Sequence, residues 1–280
     1  MNIAVCGGDE SAARLCALLR EDGHRVRTYA LDGADVGAGV MKVGCPEVCF
    51  EGADVVILPL PAAVNGNLYA PMSPTETGIS ELVSKIPEGT LICAGGTESL
   101  PEGQYIEDYG ARENFAVSYA ALASEGAVEL AMAGSDRALY NSRTLVLGYG
   151  RLGKILSARV SAMGARVTVA ARREGDLAMA EAMGYDTVPM AALDGKLGGF
   201  DYIFNTVPAQ VLNTKRLAEI RCGAFMVELA GAPGGFDVLK AETLGIRAVS
   251  GAALPGKCAP QAAAELTRDA VYAVVEEWKI

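Results

Sequence analysis

Leu145-Val-Leu-Gly148-Tyr149-Gly150-Arg151-Leu152-Gly153 is the stretch on which the fold turns. Thr144–Leu147 before it reads as a short buried strand, and behind it Leu152, Ile155, Leu156, Val160 and Met163 recur at helical spacing. Each glycine has a steric reason. Gly148 permits a tight turn, Gly150 leaves room for a phosphate group to meet backbone, and Gly153 lets the helix pack on the strand. Free N–H groups and the dipole at the start of such a helix favour an anion. A lone G-x-G-x-x-G says little. Set after a strand, at the opening of an amphipathic helix and before a second strand, Arg166–Ala170, it reads as a dinucleotide-binding Rossmann fold.

The end of that second strand selects the dinucleotide. An NAD site places Asp or Glu there for the ribose 2′-hydroxyl, whereas an NADP site supplies Arg. The strand ends Val169-Ala170-Ala171-Arg172-Arg173, with no acid and two guanidinium groups suited to a 2′-phosphate. NADP(H) is therefore the expected cofactor, with Gly148, Tyr149, Gly150, Arg151, Leu152, Gly153, Ala171, Arg172 and Arg173 around it. Asn205-Thr206-Val207-Pro208 follows the strand Asp201–Phe204 and is expected beside the nicotinamide ribose, because ligands lie at the carboxyl ends of parallel strands. Glu228-Leu-Ala-Gly231 ends the next strand and lines the same crevice in this reading.

Working outward, the chain opens in the same way. Asn2–Cys6 is an apolar strand entering Gly7-Gly8-Asp9, followed by a helix to about Asp22 and a strand near Val26–Tyr29. The third glycine is missing, so this turn is read as an α/β turn and not as a second cofactor site. Strands at Asp54–Leu58 and Thr90–Ala94, a helix from Glu76 to Ile86, a long helix from Ala120 to Gly134 and a helix near Gly235–Leu244 complete the pattern. The sequence thus predicts an α/β protein of two tandem Rossmann-like domains with parallel sheets. Residues 1–134 form the first, substrate-side domain, completed by a C-terminal helix at 260–280, and residues 135–259 form the NADP-binding domain.

Composition narrows the functional classes. The 280 residues are 51% hydrophobic and 21% charged, ordinary for a globular enzyme. The net charge of −10, with no basic run, argues against nucleic acid. No signal peptide and no membrane-spanning apolar run are read, and seven scattered cysteines fit a reduced, cytoplasmic chain. No metal site is expected. The single histidine, His24, falls in a turn of the first domain, so proton chemistry of the His-dependent dehydrogenase kind is not expected. Two side chains stand as catalytic candidates facing a cleft between the domains. Glu125 is read at the start of the long helix, and Lys257, in the loop Leu254-Pro-Gly256-Lys257, is read as a partner for a substrate carboxylate.

With these pieces in place the chain resembles the A subunit of dipicolinate synthase along nearly all its length. The likeness is carried by Ala4-Val5-Cys6-Gly7-Gly8-Asp9, Val56-Ile-Leu-Pro59, Glu125-Gly126, Leu147–Gly153, Asn205-Thr-Val-Pro208, Pro233-Gly-Gly235 with Asp237, Gly245-Ile246 and Leu254-Pro-Gly256 with Ala259-Pro260. It departs at Ser118-Tyr119-Ala120 and at Gly231-Ala232. The resemblance implies an oxidoreductase that forms dipicolinate from a dihydrodipicolinate-type intermediate of the lysine pathway. It would be an oligomer working on a small dicarboxylate with the flavoprotein-like B subunit of dipicolinate synthase, in sporulating bacteria. Two alternatives stand beside it: a shikimate-dehydrogenase-like NADP oxidoreductase, whose early Ser-x-Ser is absent here, and a non-catalytic NADP-sensing or scaffold subunit.

Overall fold

The core strands are short and apolar on both faces, as a parallel sheet with helices on both sides requires. The structure, a computed structural model, describes residues 1–101, 105–231 and 233–280. In chain order the first elements are β1 (Asn2–Cys6), α1 (Glu10–Glu21), β2 (Arg25–Tyr29), β3 (Met41–Lys42), α2 (Pro46–Phe50), β4 (Val55–Ile57), the small hairpin β5 (Ala63–Val64) and β6 (Asn67–Leu68), α3 (Ile79–Ser84), β7 (Leu91–Ala94), β8 (Ile106–Asp108) and α4 (Glu113–Gly134). There follow β9 (Arg143–Leu147), α5 (Arg151–Ala162), β10 (Arg166–Ala171), α6 (Glu174–Ala182), β11 (Asp186–Pro189), β12 (Tyr202–Asn205), α7 (Thr214–Leu217), β13 (Phe225–Glu228), α8 (Val238–Thr243), β14 (Arg247–Ser250), α9 (Leu254–Cys258) and α10 (Pro260–Trp278). No helix among the described residues is long and apolar enough to cross a membrane.

The chain divides into two compact units, residues 1–119 with 255–280, and residues 120–254. Unit 1 holds a six-stranded sheet in the order β3-β2-β1-β4-β7-β8. All its neighbours are parallel, with Ile3 beside Val26 and Val55. Alternate residues of β1 serve opposite faces. Ile3 and Val5 share a core with Leu15 and Leu19 of α1 and with Val271 and Val274 of α10. Ala4 and Cys6 meet Phe50, Leu82 and Ile92 on the other side. The apolar stripe of α10 is Ala263, Ala264, Ala270, Val271, Val274 and Val275, while Trp278 at its end is partly exposed.

Unit 2 repeats the plan with the order β11-β10-β9-β12-β13-β14, again all parallel. Val146 packs with Leu156 and Val160 of α5 and with Ala127 and Ala131 of α4. Leu145 and Leu147 face Leu197, Leu217 and Met226. In both units the strand order reverses at one point, between β1 and β4 and between β9 and β12, and ligands of such sheets lie beyond the strand carboxyl ends there. Rossmann-like α/β architecture is thus present twice, in full.

Several boundaries differ from the sequence expectation. The long helix begins at Glu113, seven residues before Ala120, because Phe115 and Tyr119 give its first turns an apolar face against unit 1. The division at 119/120 therefore falls inside α4, where the sequence suggested 134/135. The helix ends at Gly134, where a Cβ would lie 2.2 Å from the Phe225 ring. α3 and α8 are shorter than expected, and Asp237 caps α8 by accepting from the Lys240 N–H. Lys257 lies in the short helix α9 and not in a loop. The Gly95–Gly103 loop and the Gly231-Ala232 pair each run into residues outside those described.

Candidate functional site

The turn after β9 carries the geometry expected of a phosphate seat. Gly148 has φ +95°, and a Cβ there would lie 2.4 Å from Thr206 Oγ1. Thr206 is fixed in turn, its N–H and hydroxyl both donating to the Leu147 carbonyl at 2.9 and 2.8 Å. A Cβ on Gly153 would lie 2.2 Å from the Gly148 carbonyl, so α5 packs on the turn as closely as backbone allows. Gly150 is different: nothing lies within 4 Å of its would-be Cβ, and as N-cap of α5 it offers no side-chain acceptor to the helix. Two glycines are held tight and the one between them opens onto free space. That leaves the first N–H groups of α5 to an external anion.

A cavity of about 410 Å³ adjoins this turn, bordered by Gly148, Tyr149, Ala171, Arg172, Asp176 and Val207. Tyr149 is buried, its ring edge-on to Tyr185 and beneath the Lys154 ammonium. Arg151 and Leu152 form the first turn of α5, with Arg151 exposed. Arg172 and Arg173 both reach the cavity, but they are not equivalent. Arg173 donates from Nε and Nη2 to the two oxygens of Asp176, at 2.7 and 3.1 Å. These bonds hold its guanidinium more firmly protonated than usual. Asp176 is only 17% exposed and Arg173 71%. Sequence reading missed Asp176, although its position three residues after Arg173 in the first turn of α6 is the signal that finds it.

Pro208 is exposed and Val207 half-buried at the mouth of the cavity. Asn205, expected at the cofactor, has a fully buried side chain already engaged within the fold. Its Nδ2 donates to the Val207 carbonyl at 3.0 Å and to Glu228 Oε1 at 2.7 Å, and its Oδ1 accepts from the Val207 N–H at 3.2 Å. Glu228 is buried too. It accepts from the Ala230 N–H on Oε1 and from the Gly235 and Phe236 N–H groups on Oε2. Asn205 and Glu228 thus hold together the two loops that follow β12 and β13.

The two catalytic candidates stand elsewhere. Glu125 is in the interior of α4, not at its start, and its exposed carboxylate pairs with Arg159 at 3.0 Å. Arg159 also bonds the Ala121 carbonyl and the Ser124 hydroxyl, so the group braces α4 on α5. Lys257 is exposed and does not border this cavity. Among the described residues no cluster of His, Cys, Asp and Glu is arranged to hold a metal ion.

The chain is similar to known proteins. Residues 2–106 match the family described as the N-terminal domain of the dipicolinate synthase A subunit. The chain is 27% identical to the A subunit of dipicolinate synthase from Bacillus subtilis (strain 168), across 99% of this chain and 96% of that protein. The crystal structure of the dipicolinate synthase A subunit from Bacillus halodurans superposes with a TM-score of 0.81 at 26% identity, covering 98% of this chain and 97% of the other. A transhydrogenase from Sinorhizobium meliloti has the same fold, with a TM-score of 0.64 at 18% identity over 98% and 94% of the two chains.

Proposed function

From a chain similar to the A subunit of dipicolinate synthase over its whole length, we propose an oxidoreductase that uses NADP⁺ to convert a dihydrodipicolinate-type ring into dipicolinate, acting with a second subunit in the cytoplasm of a sporulating cell. The observation that carries the proposal is the Gly148–Gly153 turn, closed at its ends and open at Gly150, with Arg172 at the edge of the same cavity. The residues present fit the cofactor. α5 would hold the pyrophosphate on its first N–H groups, Arg172 would pair with the 2′-phosphate, and Val207 and Pro208 would border the ribose on the nicotinamide side. Bound NADP⁺ supplies a hydride acceptor, so that loss of one hydride and one proton makes the ring aromatic. What the chain supplies is orientation and exclusion of water. Asn205 and Glu228 set the loops at the cavity mouth, and apolar Ala171, Met190 and Val211 line it.

The test is incubation of the purified chain with NADP⁺ and enzymatically generated dihydrodipicolinate, with and without the B subunit, following dipicolinate absorbance. The expected result is cofactor-dependent dipicolinate formation and tighter binding of NADPH than of NADH. Equal affinity for the two dinucleotides would remove NADP as cofactor, and no product with the B subunit present would remove the reaction.

A further inference from the structure

The amino ends of the unit 2 strands, at the far end of the sheet from the Gly148–Gly153 turn, gather arginines. Arg143 opens β9, and its neighbour in register is Arg166, which opens β10. Arg137 and Arg221 reach the same edge from loops and meet Asp201, the residue before β12. Arg137 Nη1 lies 3.5 Å from Asp201 Oδ1, and Arg221 Nη2 contacts the same oxygen. Oδ2 accepts from the Arg143 N–H at 2.8 Å. The Arg143 guanidinium lies over the Phe200 ring and against Gly199, where a Cβ would come 2.8 Å from Nη1.

Elsewhere arginine and carboxylate match one for one, as in Arg14 with Glu10, Arg112 with Glu277 and Arg173 with Asp176. Here Arg137, Arg143, Arg166 and Arg221 share Asp201, because the next acid, Asp136, is matched by Arg247. Burial first, and then the charges of Arg137 and Arg143, lower the Arg221 pKa, as like charges held together must. The carboxyl ends of α4 and α5 lie at this edge too, where Arg247 bonds the Gly134 carbonyl and the Asn141 N–H bonds that of Gly164. Each end offsets about half a charge, which leaves a local excess of about two positive charges. The chain as a whole carries −10.

A cavity of about 260 Å³ opens beside the cluster, bordered by Arg137, Tyr140, Asn141 and Asp201. Arg137 Nε and Nη2 and Asn141 Nδ2 have no hydrogen-bond partner among the described residues, while Asn141 Oδ1 accepts from Arg166 at 2.7 Å. Tyr140 is 76% exposed. Its ring rests on Gly164, where φ is +85° and a Cβ would lie 2.6 Å from the ring, so backbone holds in place an aromatic surface that faces solvent. A flat apolar surface, free guanidinium and amide donors and a surplus of positive charge together describe a ligand with a planar ring and a dianionic head. We propose that this cavity binds a phosphate monoester of a planar ring, the phosphate accepting from Arg137 and Asn141 Nδ2 and the ring stacking on Tyr140. The site stands apart from the dinucleotide cavity and does not depend on the reaction proposed above.

Calorimetric titration of the full chain at pH 8 and fixed ionic strength tests this with three probes: phenyl phosphate, a dianion there; benzenesulfonate, a monoanion of similar shape; and inorganic phosphate, which lacks the ring. The parent is expected to bind phenyl phosphate with a Kd below about 1 mM. Benzenesulfonate should bind about tenfold or more weakly, and inorganic phosphate about three- to tenfold more weakly, the worth of one aromatic stack. Arg137→Gln should weaken phenyl phosphate by about tenfold or more. Tyr140→Ala should bring phenyl phosphate and inorganic phosphate within about twofold of each other. Arg14→Gln removes the same charge in unit 1 and Arg172→Ala alters the dinucleotide cavity; neither should change the binding. Both Arg137→Gln and Tyr140→Ala should keep the parent's Tm, and either alone suffices should the other fail to fold. A parent Kd above about 1 mM, sulfonate binding as tightly as phosphate, a loss in Arg172→Ala or Arg14→Gln, or unchanged binding in Arg137→Gln overturns the proposal.

Discussion

At the scale of single side chains, Arg172 and Arg173 part company. Both border the cavity of unit 2, yet Arg173 is already held by Asp176 through two hydrogen bonds. Arg172→Ala should therefore weaken NADPH by about ten- to hundredfold, the worth of a charge-assisted contact, while Arg173→Ala should change it by less than about threefold, as expected for an exposed ion pair. NADH should be indifferent to both, and fluorescence titration at low ionic strength reads all four affinities; equal losses from the two variants would show that the pair acts as one. The glycines divide in the same way. Gly150→Val should fold normally and lose dinucleotide binding, since its side chain enters free space that the phosphate needs. Gly153→Ala must displace backbone and should destabilise by about 1–3 kcal/mol in urea unfolding. These roles were legible in the sequence because they are steric and local. Asn205 was not. Its engagement depends on Glu228, 23 residues away on a neighbouring strand, and only the register of β12 with β13 makes them partners. Asp9 was read only as part of an α/β turn, and the structure makes it the N-cap of α1.

At the scale of elements, the ends of β12 and β13 are tied to their loops by one buried carboxylate. Glu228→Ala would leave three backbone N–H groups and the Asn205 amide without that acceptor. A loss of about 3–5 kcal/mol is expected in urea unfolding, with Glu228→Gln in between because an amide keeps one accepting oxygen. In unit 1 the join of α10 to β1 and α1 is sensitive to pH. His24 contacts the terminal amine of Met1 at 3.3 Å and the Tyr272 hydroxyl at 3.0 Å, and Tyr272 donates to Asp22. Burial and the nearby amine lower the His24 pKa below its usual value. The unfolded chain then binds a proton that the folded chain resists, so stability should fall as pH drops through the unfolded histidine range, about 6.5. His24→Gln should flatten that slope in thermal unfolding followed from pH 8 to 5; an unchanged slope would place the titrating group elsewhere. The short strands explain what the sequence hid at this scale. β3 and β8 span two and three residues, too few for a periodic signal, so the two outer strands of the first sheet emerge only from pairing.

At the scale of the molecule, two copies of one strand order carry two unlike helix starts. Amide exchange is the measurement that separates them. Saturating NADPH should protect residues 148–153 and the loop after β12 and leave residues 7–12 unchanged. At a hundredfold excess over Kd the dinucleotide adds about 2.7 kcal/mol to whichever unit it binds. Protection of residues 7–12 by NADPH would contradict the assignment of the dinucleotide to unit 2. The contrast at the starts of α1 and α5 reaches further than binding. α1 brings its own anion in Asp9 and is complete as synthesised, while α5 begins at Gly150 with no side chain to satisfy it. A dinucleotide bound there would supply the acceptor that the N-cap of α5 lacks. Should unit 2 bind the dinucleotide proposed above, a cell whose pool of it collapses would leave the chain open to proteases for longer, and its abundance would track the cofactor supply without any dedicated regulator.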